Sequence, residues 1–177
     1  ICAIAQDPER SLVVIDPHSD MVERLIEVLP SNRADDIIFL DFGDHNLLPG
    51  LNLLDVTLFD GDSEKTAAAF FEVARALYGK YWGPRMEVPF EKTISALTLA
   101  NTNRPPQKQL TLIDAIYLIL MKKEGRKRYL EQILPSPNEN VQSKAIINYF
   151  EYELDTRAQS FNDQVISPVL SKLRPFE

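Results

Sequence analysis

Cysteine, glycine and histidine are scarce in this chain of 177 residues. The single cysteine, Cys2, excludes a disulfide framework and a multi-cysteine zinc site, and it is typical of a reducing compartment. The six glycines form neither a G-x-x-x-x-G-K-[ST] loop nor a G-x-G-x-x-G loop, so the sequence contains no recognisable phosphate-binding turn. With only two histidines, His18 and His45, a metal site with many histidine ligands is excluded too.

Long apolar runs are missing as well. No stretch approaches the roughly 20 apolar residues of a transmembrane helix, and the N-terminus does not resemble a signal peptide. The chain begins at Ile1 without an initiator methionine, from which we expect it to be an internal fragment of a longer protein. With 45% hydrophobic and 25% charged residues, its composition is that of a globular domain with an apolar core.

The negative charge is concentrated in the first part of the chain. Residues 1–75 contain 5 Lys/Arg and 15 Asp/Glu, whereas residues 76–177 contain 14 and 11. An acidic surface repels nucleic acid, so any contact with phosphates is expected in the second part. This balance argues against a dedicated DNA-binding module but not against a subunit of a larger DNA machine.

The pattern of residues 1–60 predicts an α/β fold. Ser11–Ile15 and Asp36–Leu40 are short apolar runs rich in β-branched residues, each followed by an aspartate, which is typical of buried parallel strands. Between them, Asp20 is positioned to cap an amphipathic helix. Strand, helix and strand within about thirty residues predict a βαβ unit, here part of a P-loop NTPase-like parallel sheet.

Residues 61–177 are predicted to form an all-helical inserted domain. Thr111-Leu-Ile-Asp114 has the form of a capping box at the start of a helix. Trp82 and Phe90 are interpreted as packing anchors between helices. The candidate helices span residues 64–78, 86–101, 111–123, 126–134, 139–154 and 163–173.

A turn with two carboxylates and an imidazole follows the first predicted strand. Asp16, His18 and Asp20 lie there within five residues, at the end of a strand where ligands of open α/β sheets bind. These side chains are suited to binding a metal or orienting a water. In the simpler interpretation, which the spacing alone favours, Asp16 ends the strand, Asp20 caps the helix and His18 is exposed.

The second candidate is the basic cluster of residues 122–128. Its cations are suited to contacting nucleic-acid phosphates, and the adjacent Tyr129 is suited to stacking on a base. A solvated helix end, whose cations complement the helix dipole, is the simpler and favoured interpretation. The candidate nucleic-acid contacts are Lys122, Lys123, Arg126, Lys127 and Arg128.

Several segments resemble, in order, those of type IV coupling proteins and related P-loop ATPases of the HerA–FtsK superfamily. Leu12–Asp20 resembles the strand and "DPHGD" turn of that family, and Arg33–Asp41 its next strand. Gly50–Asp55 is similar to its "GLNPLD" segment, and Tyr81–Glu87 to its "WGPRxE" segment. Later pieces of the family's all-helical insertion resemble residues 111–114 and 166–173. The chain departs from the family at Ser19, where glycine is usual, and at Leu54, where proline is common.

The resemblance implies a conjugative or type IV secretion motor. Such a motor binds ATP and Mg²⁺ between subunits of a ring, presumed to be a hexamer, and translocates DNA at the inner face of the membrane. Its Walker A loop would precede Ile1 and its Walker B strand would follow Glu177, so this chain alone is not expected to bind ATP tightly or hydrolyse it. Relaxosome or secretion-channel proteins are the implied partners. Asp16, His18 and Asp20 would lie near the nucleotide, without an assigned catalytic role.

Three functional interpretations therefore remain. The first is a segment of an ATP-driven DNA translocase, and the second is a non-catalytic interaction module of the same fold. The third is a small metal-dependent hydrolase that uses Asp16, His18 and Asp20. The ordered resemblance favours the first.

Overall fold

The computed structural model describes residues 5–7, 9–18, 20–41, 43–44, 50–156 and 159–176, with the backbone alone for residues 159–163 and 176. Cys2, Ser19 and His45 therefore lie outside the described residues. The chain divides into two compact units, Ile1–Gly50 and Leu51–Glu177, whereas the sequence predicts a boundary after residue 60. The first unit has 3 Lys/Arg and 10 Asp/Glu and the second has 16 of each, so the net charge of −7 belongs to the first unit.

The described part of the first unit contains a short helix, α1 (Asp20–Val28), followed by a 3₁₀ helix (Ser31–Asp36). The helix predicted after the Asp16–Asp20 turn is thus confirmed. Arg33 ties the unit together, since its guanidinium donates to the carbonyl oxygens of Ala5 at 2.7 Å and Asp7 at 2.8 Å. Little apolar surface is buried: of its described residues, only Ala5 and Leu25 are classed as buried.

The predicted parallel sheet does not form, and the α/β fold class is wrong. In the part of the chain that the structure describes, no strand is present, and residues 11–16 and 37–41 pair with no neighbour. A β-branched run favours extended backbone, but a strand is stabilised by hydrogen bonds and side-chain packing across a ladder, and both runs lack a partner. Their apolar side chains remain at the surface. Val13 and Ile15 are each 87% exposed, and Ile38 is 88% exposed.

The second unit is helical, as predicted for residues 61–177. Pro84 occupies the first turn of its second helix, so that helix begins two residues before the predicted start and Pro89 falls inside it. A 3₁₀ turn (Val56–Phe59) precedes the helices, and a second one (Pro106–Lys108) separates the second helix from the third. The helices are α2 (Ser63–Tyr78), α3 (Pro84–Asn101), α4 (Leu112–Leu120), α5 (Lys123–Ile133), α6 (Val141–Asn148), its π-helical continuation (Tyr149–Leu154) and α7 (Gln159–Leu173).

Helix α3 is the centre of this unit, because α2, α4, α6 and α7 all pack against it. Its sequence explains the position: from Thr93 to Asn101 small and apolar residues cover every side of the helix, with no charged side chain among them. Ile94, Ala96 and Leu97 are fully buried. A helix that is apolar all round is stable only when other helices surround it.

Side-chain caps fix where two of these helices begin. The Asp62 carboxylate accepts from the backbone N–H groups of Glu64 and Lys65, so Asp62 caps α2, which begins at Ser63, one residue before the predicted start. At the start of α4, Thr111 and Asp114 form the predicted capping box, with the Thr111 N–H donating to Asp114 Oδ2 at 2.7 Å. That prediction is confirmed.

An aromatic cluster joins α2, the α2–α3 connection and α3. The Trp82 and Phe90 rings meet edge to face with centroids 5.2 Å apart, and Phe71 contacts both at 6.4 and 5.9 Å. Phe70 stacks on Phe90 at 5.8 Å. Offset and edge-to-face contacts of this kind add about 0.5–1.5 kcal/mol per pair beyond the area they bury. The prediction that Trp82 and Phe90 anchor the helices is confirmed.

Candidate functional site

In the turn of residues 16–20, the Asp16 carboxylate is committed to the backbone. It accepts from the N–H groups of His18 at 3.1 Å, Met21 at 2.9 Å and Val22 at 3.2 Å. The last two belong to the first turn of α1, so Asp16 caps this helix, and Asp20, the predicted cap, is its first residue. The hydrogen bond from the His18 N–H, together with those from Val22 and Met21, lowers the pKa of Asp16 below its ordinary value of 3.8.

This geometry favours the structural interpretation of the turn. The side chains of His18 and Asp20 are exposed, and the Asp16 oxygens already accept three backbone hydrogen bonds. Among the residues that the structure describes, no group of three or more histidine, cysteine or acidic side chains is arranged to hold a metal ion. The hydrogen bonds of Asp16 therefore support the simpler interpretation, in which the turn starts a helix.

The five cations of the basic cluster are not equivalent. Lys122, Lys123 and Arg128 are exposed. Lys127 is also exposed, but its ammonium donates to Glu151 Oε1 at 2.7 Å, and this bond raises the pKa of Lys127 above its ordinary value. Arg126 is only 3% exposed. Three of the predicted phosphate contacts are therefore accessible and form no ion pair with a described residue, one is engaged by a carboxylate, and one is buried.

Arg126 is a structural residue, which corrects its prediction as a nucleic-acid contact. Its guanidinium donates to the carbonyl oxygens of Leu118 at 3.0 Å, Ile119 at 2.7 Å and Met121 at 2.7 Å, which end α4 without intrahelical partners. It also pairs with the Asp155 carboxylate. With these donors used and the side chain enclosed, the guanidinium is not available to a phosphate.

A buried amide network, which sequence reasoning missed, anchors residues 52–56 to the helices. Asn101, fully buried at the end of α3, donates to the carbonyl oxygens of Leu54 at 3.1 Å and Leu110 at 2.9 Å. It also accepts from the Leu110 N–H at 2.6 Å. Asn52 donates to the same Leu110 carbonyl at 3.1 Å. An asparagine at the end of the uncharged second half of α3 was the available signal, but its partners lie 47 and 9 residues away.

One cleft of the second unit is small. About 190 Å³ lies open between α3, the π-helix and α7. Small-molecule sites are typically about 300–1,000 Å³, so this cleft is too small to enclose a nucleotide. Arg85 and Glu153 place opposite charges beside an apolar wall of Pro84, Val88, Pro89, Tyr149, Leu154 and Val165.

Comparison with known proteins yields no relative. No protein-family model matches this chain, and neither a curated protein nor a solved structure is significantly similar to it. In the described ranges, no helix combines the length and apolar character needed to cross a bilayer. The resemblance to the HerA–FtsK ATPases therefore rests on the motifs alone.

A second surface on the helical unit combines aromatic and cationic groups; we call Tyr78, Lys80, Tyr81 and Lys172 the tyrosine–lysine cluster. The Lys172 ammonium lies 4.9 Å from the centroid of the Tyr78 ring and 5.6 Å from that of Tyr81. The Lys80 ammonium lies 5.3 Å from the Tyr81 centroid. The residues Tyr78-Gly-Lys-Tyr81 were a visible signal, but Lys172, 94 positions beyond Tyr78, completes the cluster only in the fold.

Proposed function

We propose that this chain is part of an ATP-driven DNA translocase of the HerA–FtsK type, closest to the coupling ATPases of conjugation and type IV secretion. Its helical unit, Leu51–Glu177, would serve as the module that meets DNA or a partner protein. The observation that carries the proposal is the order of the resembling segments, which runs over almost the whole chain.

The structural roles of those segments support the proposal. In the Gly50–Asp55 segment, the Leu54 carbonyl oxygen accepts a hydrogen bond from Asn101 of the buried amide network. In the Tyr81–Glu87 segment, Trp82 lies in the aromatic cluster. Thr111 and Asp114 form the capping box of α4. Each of these three segments thus contributes to a junction of the helical unit.

Three features support the expectation that this chain alone does not bind ATP and Mg²⁺ tightly. The sequence has no phosphate-binding loop, the Asp16 carboxylate is occupied by backbone N–H groups, and the cleft beside α3 is too small for a nucleotide. We therefore assign this chain no step of ATP hydrolysis. Under the proposal, nucleotide chemistry belongs to residues outside this sequence.

The proposed partners follow from the motor type. Neighbouring subunits would form a ring, presumed to be a hexamer, and the ring would act on DNA delivered by relaxosome or secretion-channel proteins. The location that goes with this role is the cytoplasmic face of the membrane. The strongly acidic first unit is poorly suited to DNA, so contact with the cargo is assigned to the helical unit.

The test is ATP hydrolysis by the gene product that contains this sequence, measured beside the 177-residue chain, each with and without DNA. DNA-stimulated hydrolysis by the gene product and none by the chain is the expected result. A gene product without ATPase activity would refute the proposal that this chain is part of a motor.

A non-catalytic interaction module is the second candidate. The commitment of Asp16 to the helix start favours it, because the acidic turn that the resemblance places near the nucleotide is used structurally. Binding of partner proteins by an inactive gene product would establish this alternative.

A further inference from the structure

We propose that the tyrosine–lysine cluster is a binding site for single-stranded nucleic acid, in which Tyr81 stacks on a base and Lys80 and Lys172 contact the flanking phosphates. The site lies outside the basic cluster of residues 122–128. The inference rests on the proposed function for the identity of the cargo, DNA, but it concerns binding by this chain without ATP.

The cluster is held in place by rigid elements. The Tyr78 hydroxyl donates to the Lys172 carbonyl oxygen at 2.7 Å, which fixes the end of α2 against the end of α7. Next to Lys172, Leu173 is fully buried and anchors α7 in the core. A turn of 3₁₀ helix (Gly79–Tyr81) then presents Tyr81 from this fixed base. Binding groups on rigid elements lose little conformational entropy when a ligand arrives.

The ring of Tyr81 is accessible to a ligand. Its side chain is 67% exposed, whereas Tyr78 is half-buried and packs against the core. The Lys80 and Lys172 ammonium groups lie over the Tyr81 ring, at 5.3 and 5.6 Å from its centroid. In the part of the chain that the structure describes, no carboxylate lies within 4.0 Å of the Lys80 or Lys172 ammonium. An exposed ring with two cations that pair with no described carboxylate matches how proteins bind single strands without sequence preference.

A single strand fits this chemistry better than a duplex or an acidic peptide. Every base has an aromatic face, but in a duplex these faces are already stacked on their neighbours. An acidic peptide would pair with the two ammonium groups and gain little from the ring of Tyr81. The basic cluster offers a weaker match, because Arg126 is buried, Lys127 is paired with Glu151, and Tyr129 is only partly exposed.

The experiment is fluorescence anisotropy with the 177-residue chain and a fluorescein-labelled oligothymidylate of about 12 nucleotides, within the usual site size of one binding domain. Stacking on one base is typically lost on truncation to alanine, so Tyr81→Ala is expected to weaken binding about fivefold to a hundredfold. Tyr81→Phe retains the ring and should bind like the unmodified chain. Lys80→Ala should reduce the dependence of log Kd on log salt by about 0.7, the value for one phosphate contact on a single strand.

Tyr117→Ala is the matched control, because Tyr117 is a similarly exposed tyrosine, at 61%, on the surface of α4. Equal weakening by Tyr117→Ala and Tyr81→Ala, or no effect of Tyr81→Ala, would overturn the assignment. The unmodified chain should bind the same oligonucleotide less tightly as a duplex, and equal affinity would rule out stacking. Oligoglutamate is tested as a competitor of the oligonucleotide. If Tyr81→Ala weakened binding of oligoglutamate as much as binding of the oligonucleotide, the cluster would be a site for acidic proteins and the proposal would be refuted.

The outcomes for this site and for the motor are separable. If the chain binds the single strand through Tyr81 while the gene product lacks ATPase activity, the proposed motor function is refuted and the proposed binding site is supported. If the gene product is a DNA-stimulated ATPase but Tyr81→Ala changes neither oligonucleotide affinity nor the DNA concentration for half-maximal stimulation, the site fails. Far-UV circular dichroism of each variant checks the fold, and Tyr81→Leu provides a second ring-deleting change if Tyr81→Ala unfolds.

Discussion

Replacing Arg126 with methionine should destabilise the helical unit strongly. The Arg126 and Asp155 side chains are 4% and 10% exposed, so the small values measured for surface ion pairs do not apply. Removing one partner of a buried pair typically costs about 3–5 kcal/mol, because the other charge is left without compensation. Three carbonyl oxygens at the end of α4 also lose their donor, so we expect a loss at the upper end of this range.

Urea unfolding gives the measurement. Far-UV circular dichroism follows the helices, and the fluorescence of Trp82, the only tryptophan, follows the packing of the same unit. Lys127→Met is the matched control, since Lys127 is the next residue along the chain and forms an exposed ion pair with Glu151. Removing this pair should lower the free energy of unfolding by no more than about 1 kcal/mol. Asp155→Asn keeps the carbonyl contacts of the guanidinium and should fall between the two, at about 1.5–3 kcal/mol.

The pairing argument would be refuted if Arg126→Met and Lys127→Met changed the free energy of unfolding by the same amount. The double variant Arg126→Met with Asp155→Leu separates the two contributions. If the unpaired carboxylate is the main penalty, the double variant should be more stable than Arg126→Met alone, because an apolar pair of similar volume often replaces a buried ion pair at little cost.

Three further changes test other parts of the structure. Asn101→Ala should lower the free energy of unfolding by about 2 kcal/mol or more and expose the Leu110 amide to hydrogen exchange, because buried polar groups lose their partners. Gly79→Ala should lower the free energy of unfolding by about 1–3 kcal/mol, because Gly79 has a φ of +44° that alanine rarely adopts. Gly125→Ala should raise the free energy of unfolding by about 0.5–1 kcal/mol, because Gly125 lies inside α5 with open space around it. Urea unfolding measures both changes. Since the pKa of Asp16 is lowered in the folded chain, the ionised Asp16 carboxylate stabilises the fold above pH 3.8, and this stabilisation is lost as the pH falls through the folded pKa. An NMR titration of the Asp16 carboxyl with a midpoint at or above 3.8 would contradict the capping geometry.

The helical unit was predictable where local chemistry decides the structure. The spacing of Thr111 and Asp114 predicts a capping box, and the box forms because both partners lie within one helical turn. Periodic apolar residues likewise predict the helices, and errors fall at their ends. Asp62 rather than Ser63 caps α2, since either side chain is suited to the role and only the path of the preceding chain selects one.

The first unit was mispredicted because a strand is not a local structure. The run from Leu12 to Ile15 has the composition of a buried strand, but composition alone does not supply the neighbouring strand that a sheet requires. The turn after this run was correctly predicted to start a helix, but the capping residue was predicted incorrectly. Asp16 performs the capping that Asp20 was expected to perform.

The candidate site depended on contacts between distant residues. A run of cations such as residues 122–128 is usually a solvated helix face, and nothing local marks Arg126 as the member that turns inward. Its burial follows from the carbonyl groups at the end of α4 and from Asp155, which lies 29 residues away. The same distance problem hides Lys172 from any local reading of Tyr78 and Tyr81.

The π-helix after α6 gives the chain room for one additional residue. In this segment the Asp155 N–H donates to the Phe150 carbonyl five residues earlier at 2.9 Å, so the segment holds one residue more per hydrogen-bonded turn than an α-helix. Six residues wound in this way turn the chain about as far as five residues of an α-helix, so the positions beyond the segment keep nearly the same orientation with or without the additional residue. Deleting one residue between Tyr149 and Leu154 would therefore allow an ordinary α-helix with Asp155 still facing Arg126. A change of length costs less in this segment than in the α-helices of the same unit.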